Sequence, residues 1–134
     1  MDCLLKSFKG RRPDTREFAL RAHVLLLVAS NGTPLDVALG ALEFEKNSIR
    51  RSSPWNYTAH STIITCSAED LIVHKAFASR ELDWLDVERI LQRQAGVLNV
   101  AQILEELQPL AELKEDHNIV PRLTSLMRKR GISP

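Results

Sequence analysis

Residues 24–42, VLLLVASNGTPLDVALGAL, decide how the chain is read. Two apolar runs, residues 24–29 and 35–41, flank Asn31-Gly32-Thr33-Pro34. Gly takes a positive φ without steric cost and Pro cannot continue a hydrogen-bonded ladder, so this tetrapeptide reads as a turn. Both runs are short and rich in Val and Leu, which predicts two strands buried on both faces or nearly so. Asp36 interrupts the second run between Leu35 and Val37. A carboxylate in a buried strand is costly unless it is ion-paired, hydrogen-bonded or bound to a metal, so Asp36 is the residue that most needs a cause.

Upstream of the hairpin, Leu4, Leu5 and Phe8 are spaced for one or two helical turns over residues 2–9, ended by Gly10. Arg11-Arg12-Pro13 is a basic loop, and Asp14 or Thr15 caps a short helix to about Ala22 with Phe18 facing inward. Downstream, residues 42–52 return to helical spacing until Ser53-Pro54 interrupts them. The aromatic and β-branched run WNYTAHSTIITC, residues 55–66, suits one or two further strands.

Ser67-Ala68-Glu69-Asp70 is a capping box, the clearest helix start in the chain, and predicts a helix to about Ser79. A second helix over residues 82–94 places Trp84, Val87, Ile90 and Leu91 on one side before Gly96 breaks it. A third begins near Asn99 and carries Val100, Ile103, Leu104, Leu107 and Leu110, with Pro109 near its end. A fourth, residues 119–129, carries Ile119, Leu123, Leu126 and Met127. The expected architecture is α+β: a small mixed β-sheet followed by a helical C-terminal half. It forms one domain over residues 1–134, with a sheet region over 1–66 and a helical region over 67–134.

A chain of 134 residues, 44% hydrophobic and 26% charged, has the composition of a globular domain. The formal net charge of +1 supplies no field that would draw the whole molecule to nucleic acid or an anionic membrane. Cys3 and Cys66 fit no metal or redox spacing, which points to a reduced, cytoplasmic setting. No apolar run approaches the ~20 residues that span a bilayer, and Met1-Asp2-Cys3 lacks the basic start of a signal peptide. Basic residues cluster near the start (Lys6, Lys9, Arg11, Arg12, Arg16, Arg21) and the end (Arg122, Arg128, Lys129, Arg130). Solvated helix faces account for most such runs, and contact with a nucleic-acid backbone is the minority reading.

Few residues carry candidate chemistry. Lys75 follows Leu71 and Ile72 by one helical turn, so it projects from the inward stripe, where an ammonium either snorkels outward or meets an anion. Asp83 and Asp86 border the apolar face of the next helix, and an ion pair from Lys75 to one of them would lock the two helices together. Arg80, in the intervening turn, is open to the same alternatives. Asp36 has a structural reading too: hydrogen bonds from a helix N-terminus, or from Arg11, Arg12 or Arg21. His23, His60, His74 and His117 share no metal-binding spacing, Ser52 and Ser53 lack a nucleophile-elbow pattern, and no Gly-rich phosphate loop is present.

EFALRAHVLLL (residues 17–27), LDVALGALEFE (35–45) and CSAEDLIVHKAFASRELDWLDVERILQRQ (66–94), in that order, resemble the nucleotidyltransferase-like proteins of the DNA polymerase β superfamily. Within it the similarity is to bacterial proteins related to AbiEii-type toxins. Its most specific part is E-D-L-I-x-x-K followed by A-x-R-x-x-D-x-x-D-[VI], here Glu69, Asp70, Leu71, Ile72, Lys75, Ala78, Arg80, Asp83, Asp86 and Val87. The resemblance implies transfer of a nucleoside monophosphate from a nucleoside triphosphate (NTP) to a hydroxyl, on RNA or protein, with Mg2+ held by three carboxylates. It assigns Asp36 as the third of these, catalytic and metal-binding, and Lys75 with Arg80 as nucleotide-binding. Asp83 and Asp86 are supporting residues, Asp86 orienting the lysine.

The family's Gly-Ser or Gly-Gly and the Asp-x-Asp of its metal-binding strand have no counterpart before Asp36. One aspartate offers a magnesium ion one or two of its roughly six oxygens, so the expectation is a truncated domain, inactive as this chain alone. A missing strand leaves an open sheet edge, which predicts a homodimer or another association that buries the hairpin region. The alternative reading is a non-catalytic nucleotide-binding module, or a protein- or RNA-interaction module of the toxin–antitoxin kind.

Overall fold

The structure, a computed structural model, describes residues 1–133. It is α+β, with strands confined to the first half of the chain and the longest helices in the second. The sheets are small and antiparallel: three strands ordered β1-β2-β3, and a separate pair, β4-β5. The expected single mixed sheet is thus two sheets without a parallel pair. The last strand ends at Thr65 and the next helix begins at Ala68, as the change in periodicity near residue 66 predicts. The compact units divide elsewhere, at Met1–Lys46 and Asn47–Pro134.

In the first unit, α1 (Asp2–Ser7) leads into β1 (Lys9–Gly10), α2 (Thr15–Ala22), β2 (Val24–Val28) and β3 (Pro34–Ala38). Gly10 does not end α1, because the chain is already extended at Phe8. Gly10 instead lies in β1, where a Cβ would run into the Thr15 side chain. The hairpin forms as read: Leu26 pairs with Asp36 and Leu27 with Leu35. Its turn is held by Gly32 N–H donating to the Ala29 carbonyl (2.9 Å) and Thr33 N–H to Asn31 Oδ1 (3.1 Å), with Gly32 at φ 84°. Ala19, Leu25 and Leu27 form the buried core, packed by Leu4, Leu5, Phe8, Leu35 and Val37.

Burial alternates along β3, so Leu35 and Val37 turn inward while Pro34, Asp36 and Ala38 turn out. The expectation of a strand buried on both faces holds nearly for β2, whose outward residues are half-buried. It does not hold for β3.

In the second unit, the end of α3 (Glu43–Arg51) leads into β4 (Ser53–Thr58), β5 (Ser61–Thr65), α4 (Ala68–Ala78), α5 (Glu81–Gln94), α6 (Val100–Leu113) and α7 (Ile119–Lys129). Ser67 caps α4 as its capping box predicts, its Oγ accepting from Asp70 N–H at 3.1 Å. Asn99 caps α6 in the same way through Gln102 N–H (3.2 Å). The helices enclose Ile72, Val73, Ala76, Trp84, Val87, Leu91, Ile103, Leu107, Ile119, Leu123 and Met127. Trp84 donates its indole N–H to Ser79 Oγ (3.2 Å), and Arg122 stacks on its ring at 4.6 Å.

Candidate functional site

Asp36 occupies the middle of β3 on the outward face of the first sheet. The register places Leu26 directly opposite, with Val28 and Val24 to either side on β2. Lys9 continues this face across β1, being opposite Val28, and Arg11 N–H bonds to the Leu26 carbonyl just beyond. Arg11 reaches over to form a salt bridge with the Asp36 carboxylate, one of the structural partners the sequence allowed. The Asp36 side chain is 66% exposed, which overturns its expected burial. Alternation along the strand is the cause: Asp36 lies between two inward residues and needs no compensation for desolvation. Its neighbours on the sheet face are aliphatic or basic, so no second acid stands beside it.

Lys75, Arg80, Asp83 and Asp86 come together in the second unit. Lys75 Nζ donates to Asp83 Oδ1 (3.1 Å) and Asp86 Oδ2 (2.9 Å), so it crosses from α4 to α5. Arg80 closes the other side of Asp83 through Nε (2.5 Å) and Nη2 (3.2 Å). The helix-locking ion pair that the sequence offered as the plain reading is therefore present, doubled at both ends. Hydrogen bonds from Arg80 foremost, then Lys75, hold the Asp83 carboxyl at about 2 against the cost of burial. Asp86 is lowered chiefly by its bond from Lys75, and Lys75 is raised chiefly by Asp86, then Asp83. An ammonium held this way remains charged and does not serve as a general base.

Beside this cluster lies a surface cleft of about 340 Å³ lined by Leu71, Lys75, Asp86, Arg89, Ile90 and Arg93. Three cations, one carboxylate and two aliphatic side chains form its walls. Arg89 and Arg93, one turn apart on α5, were not singled out from the sequence, although their spacing places them on the face that carries Asp86.

A second buried network also escaped the sequence reading. Asp70, fully buried, accepts from Arg51 Nη2 (2.6 Å) and from Nε at 3.2 Å on both oxygens. Arg51 Nη1 goes on to Glu106 Oε1 at 2.7 Å, so one guanidinium joins the end of α3 to α4 and α6. These carboxylates push the Arg51 pKa upward, the Asp70 hydrogen bond contributing most. The capping box marked Asp70 as a helix-start residue, but nothing local announced its distant partner.

Asp36 belongs to the first unit, and Lys75, Arg80, Asp83 and Asp86 to the second. Among the described residues no group of three or more His, Cys, Asp or Glu side chains is arranged to hold a metal ion. The four histidines occupy exposed positions on separate segments. No helix among the described residues is long and apolar enough to cross a membrane. Comparisons with protein families, curated proteins and solved structures returned no match.

Proposed function

We propose that this chain is a nucleotidyltransferase-like domain, a part of machinery that moves a nucleoside monophosphate from a nucleoside triphosphate to a hydroxyl acceptor. The observation that carries the reading is the run of motifs from Glu69 to Val87, whose resemblance supplies the reaction class. Asp36, 66% exposed in the middle of a paired strand and engaged by Arg11, has lost the burial that singled it out and adds no support of its own. In this reading Asp36 would offer one oxygen to Mg2+ in place of its ion pair with Arg11. The basic cleft beside Lys75 provides charge for an anionic ligand such as a triphosphate.

One carboxylate does not hold two magnesium ions, so the reading assigns this chain a share of a site and no turnover of its own. Paramagnetic Mn2+ tests it: titrated with ATP into isotope-labelled protein, it should broaden amide signals of β3. Asp36→Asn should remove the broadening. A titration that leaves β3 unbroadened in wild type would end the catalytic reading.

A second reading has its own support. Lys75 is engaged by Asp83 and Asp86, and Arg80 by Asp83, an arrangement that suits a structural clamp in a non-catalytic interaction module. Calorimetry with ATP and Mg2+ separates the two: binding lost in Lys75→Ala supports nucleotide recognition, whereas no heat in wild type favours the module.

A further inference from the structure

The β4–β5 hairpin is unlike the rest of the second unit. Every residue from Ser53 to Ile64 is exposed, including Trp55, Tyr57, Ile63 and, at 68%, Ile64. The register sets Trp55 opposite Ile63, and Tyr57 packs edge-on against Trp55 with ring centroids 5.9 Å apart, so these three share one face. Pro54 and Ile64, also opposite one another, lie on the other face beside Asn56 and Thr62. An isolated two-stranded hairpin is marginal in water, and among the described residues no third strand pairs with this one.

The edges of the hairpin differ. β4 contains Pro54, which has no N–H to offer a ladder and marks an outer strand. β5 is Ser-Thr-Ile-Ile-Thr, four of its five residues β-branched, without Pro, Gly or charge. Natural edge strands are normally blunted by charge, and residues 53–66 contain no Asp, Glu, Lys or Arg. A polyanion would find no cation on this hairpin, and a charged protein partner no complement. A second copy presents the same neutral surface, and across a two-fold axis, where each residue meets its own kind, neutrality removes the repulsion that charges would bring.

We propose that β5 pairs antiparallel with β5 of a second copy of this chain. The two hairpins then form one four-stranded sheet about a two-fold axis near Ile63. Ile63 faces its counterpart, Ser61 faces Thr65, and Trp55 with Tyr57 extends the apolar stripe on each side. Pro54 lies on the outer strands, which closes the assembly at two chains. This interaction goes beyond the functional reading above and does not depend on it.

Sedimentation of the full chain at micromolar concentration should give twice the 15.1 kDa chain mass. Ile63→Lys sets two ammonium groups directly opposite one another and should weaken the dimer at least ~10-fold, with the helical circular dichroism unchanged. Ile63→Cys, with Cys3 and Cys66 replaced by Ser, should give a disulfide-linked dimer on mild oxidation, because directly opposed residues fall within disulfide range. That cross-link decides the matter if Ile63→Lys loses its helical signal. A monomer throughout the concentration range, a dimer indifferent to Ile63→Lys with no cross-link at position 63, or a monomer that carries nucleic acid on this hairpin would each overturn the proposal.

Discussion

Replacing Arg51 with Met should destabilise the second unit more than any single change to its acidic partners. Asp70 is fully buried, whereas the Arg51 side chain keeps 31% of its surface in solvent. Removing the guanidinium strands a carboxylate that cannot hydrate, at a cost of about 3–5 kcal/mol. Asp70→Asn leaves a guanidinium that can still reach water and an amide that still accepts a hydrogen bond, at about 1–3 kcal/mol. Glu106→Gln keeps an acceptor for Arg51 Nη1 and should cost about 1 kcal/mol or less. Urea unfolding, followed by helical circular dichroism and by the emission of buried Trp84, reads all three. With a slope of about 1–2 kcal/mol per M, Arg51→Met should lower the midpoint by roughly 1.5–5 M at an unchanged slope. If Asp70→Asn proved as damaging as Arg51→Met, the stranded-charge account would be wrong.

Three further outcomes follow from the geometry. Because the Asp83 carboxyl is held at about 2, below its ordinary 3.8, its contribution is complete above that ordinary value and is lost as pH falls toward 2. Unfolding measured between about pH 5 and 2 should therefore show a steep acid limb that is shallower in Asp83→Asn; identical slopes would contradict the assignment. Asp36→Asn should change stability by no more than about 1 kcal/mol, since its pair with Arg11 is exposed, and a larger loss on denaturation would mean the carboxylate is structural. The Cys66 thiol is raised by burial and then by the nearby Asp70 charge, so an aromatic disulfide reagent at neutral pH should label exposed Cys3 well before Cys66. Equal rates of labelling would count against that environment.

Much of the fold was legible because its signals were local. The Asn31-Gly32 turn, the Ser67 cap and the apolar spacing of α5, α6 and α7 each lie within a few residues of what they specify. One expectation failed for a local reason: residues 35–41 read as an apolar run broken only by Asp36 because Ala38, the next outward position, is small and uncharged and hides a period of two. Residues 55–66 form the strands that their aromatic and β-branched side chains predict, yet in the single chain both faces of the hairpin are exposed. Composition reports the preference of a strand for a partner without saying whether the partner is in the same chain. Arg51 and Glu106 were missed for a different reason: a salt bridge over 55 positions leaves no periodic trace.

The α4–α5 cluster has a physical logic that bears on both functional readings. Asp83 is held twice, by Arg80 and by Lys75, whereas Asp86 has Lys75 and a longer contact from Arg89 at 3.3 Å. An anion entering the cleft beside Arg93 would compete with Asp86 for Lys75, while Arg80 keeps the nearly buried Asp83 compensated. The lysine can therefore turn toward a ligand without stranding a buried charge, provided that Arg80 stays in place. Asp86→Asn should then strengthen ATP binding if the cluster is a nucleotide site, because it removes Lys75's competitor and leaves the buried pair intact. In a purely structural clamp the same change would weaken the join between the helices and produce no binding, so one variant separates the two readings in opposite directions.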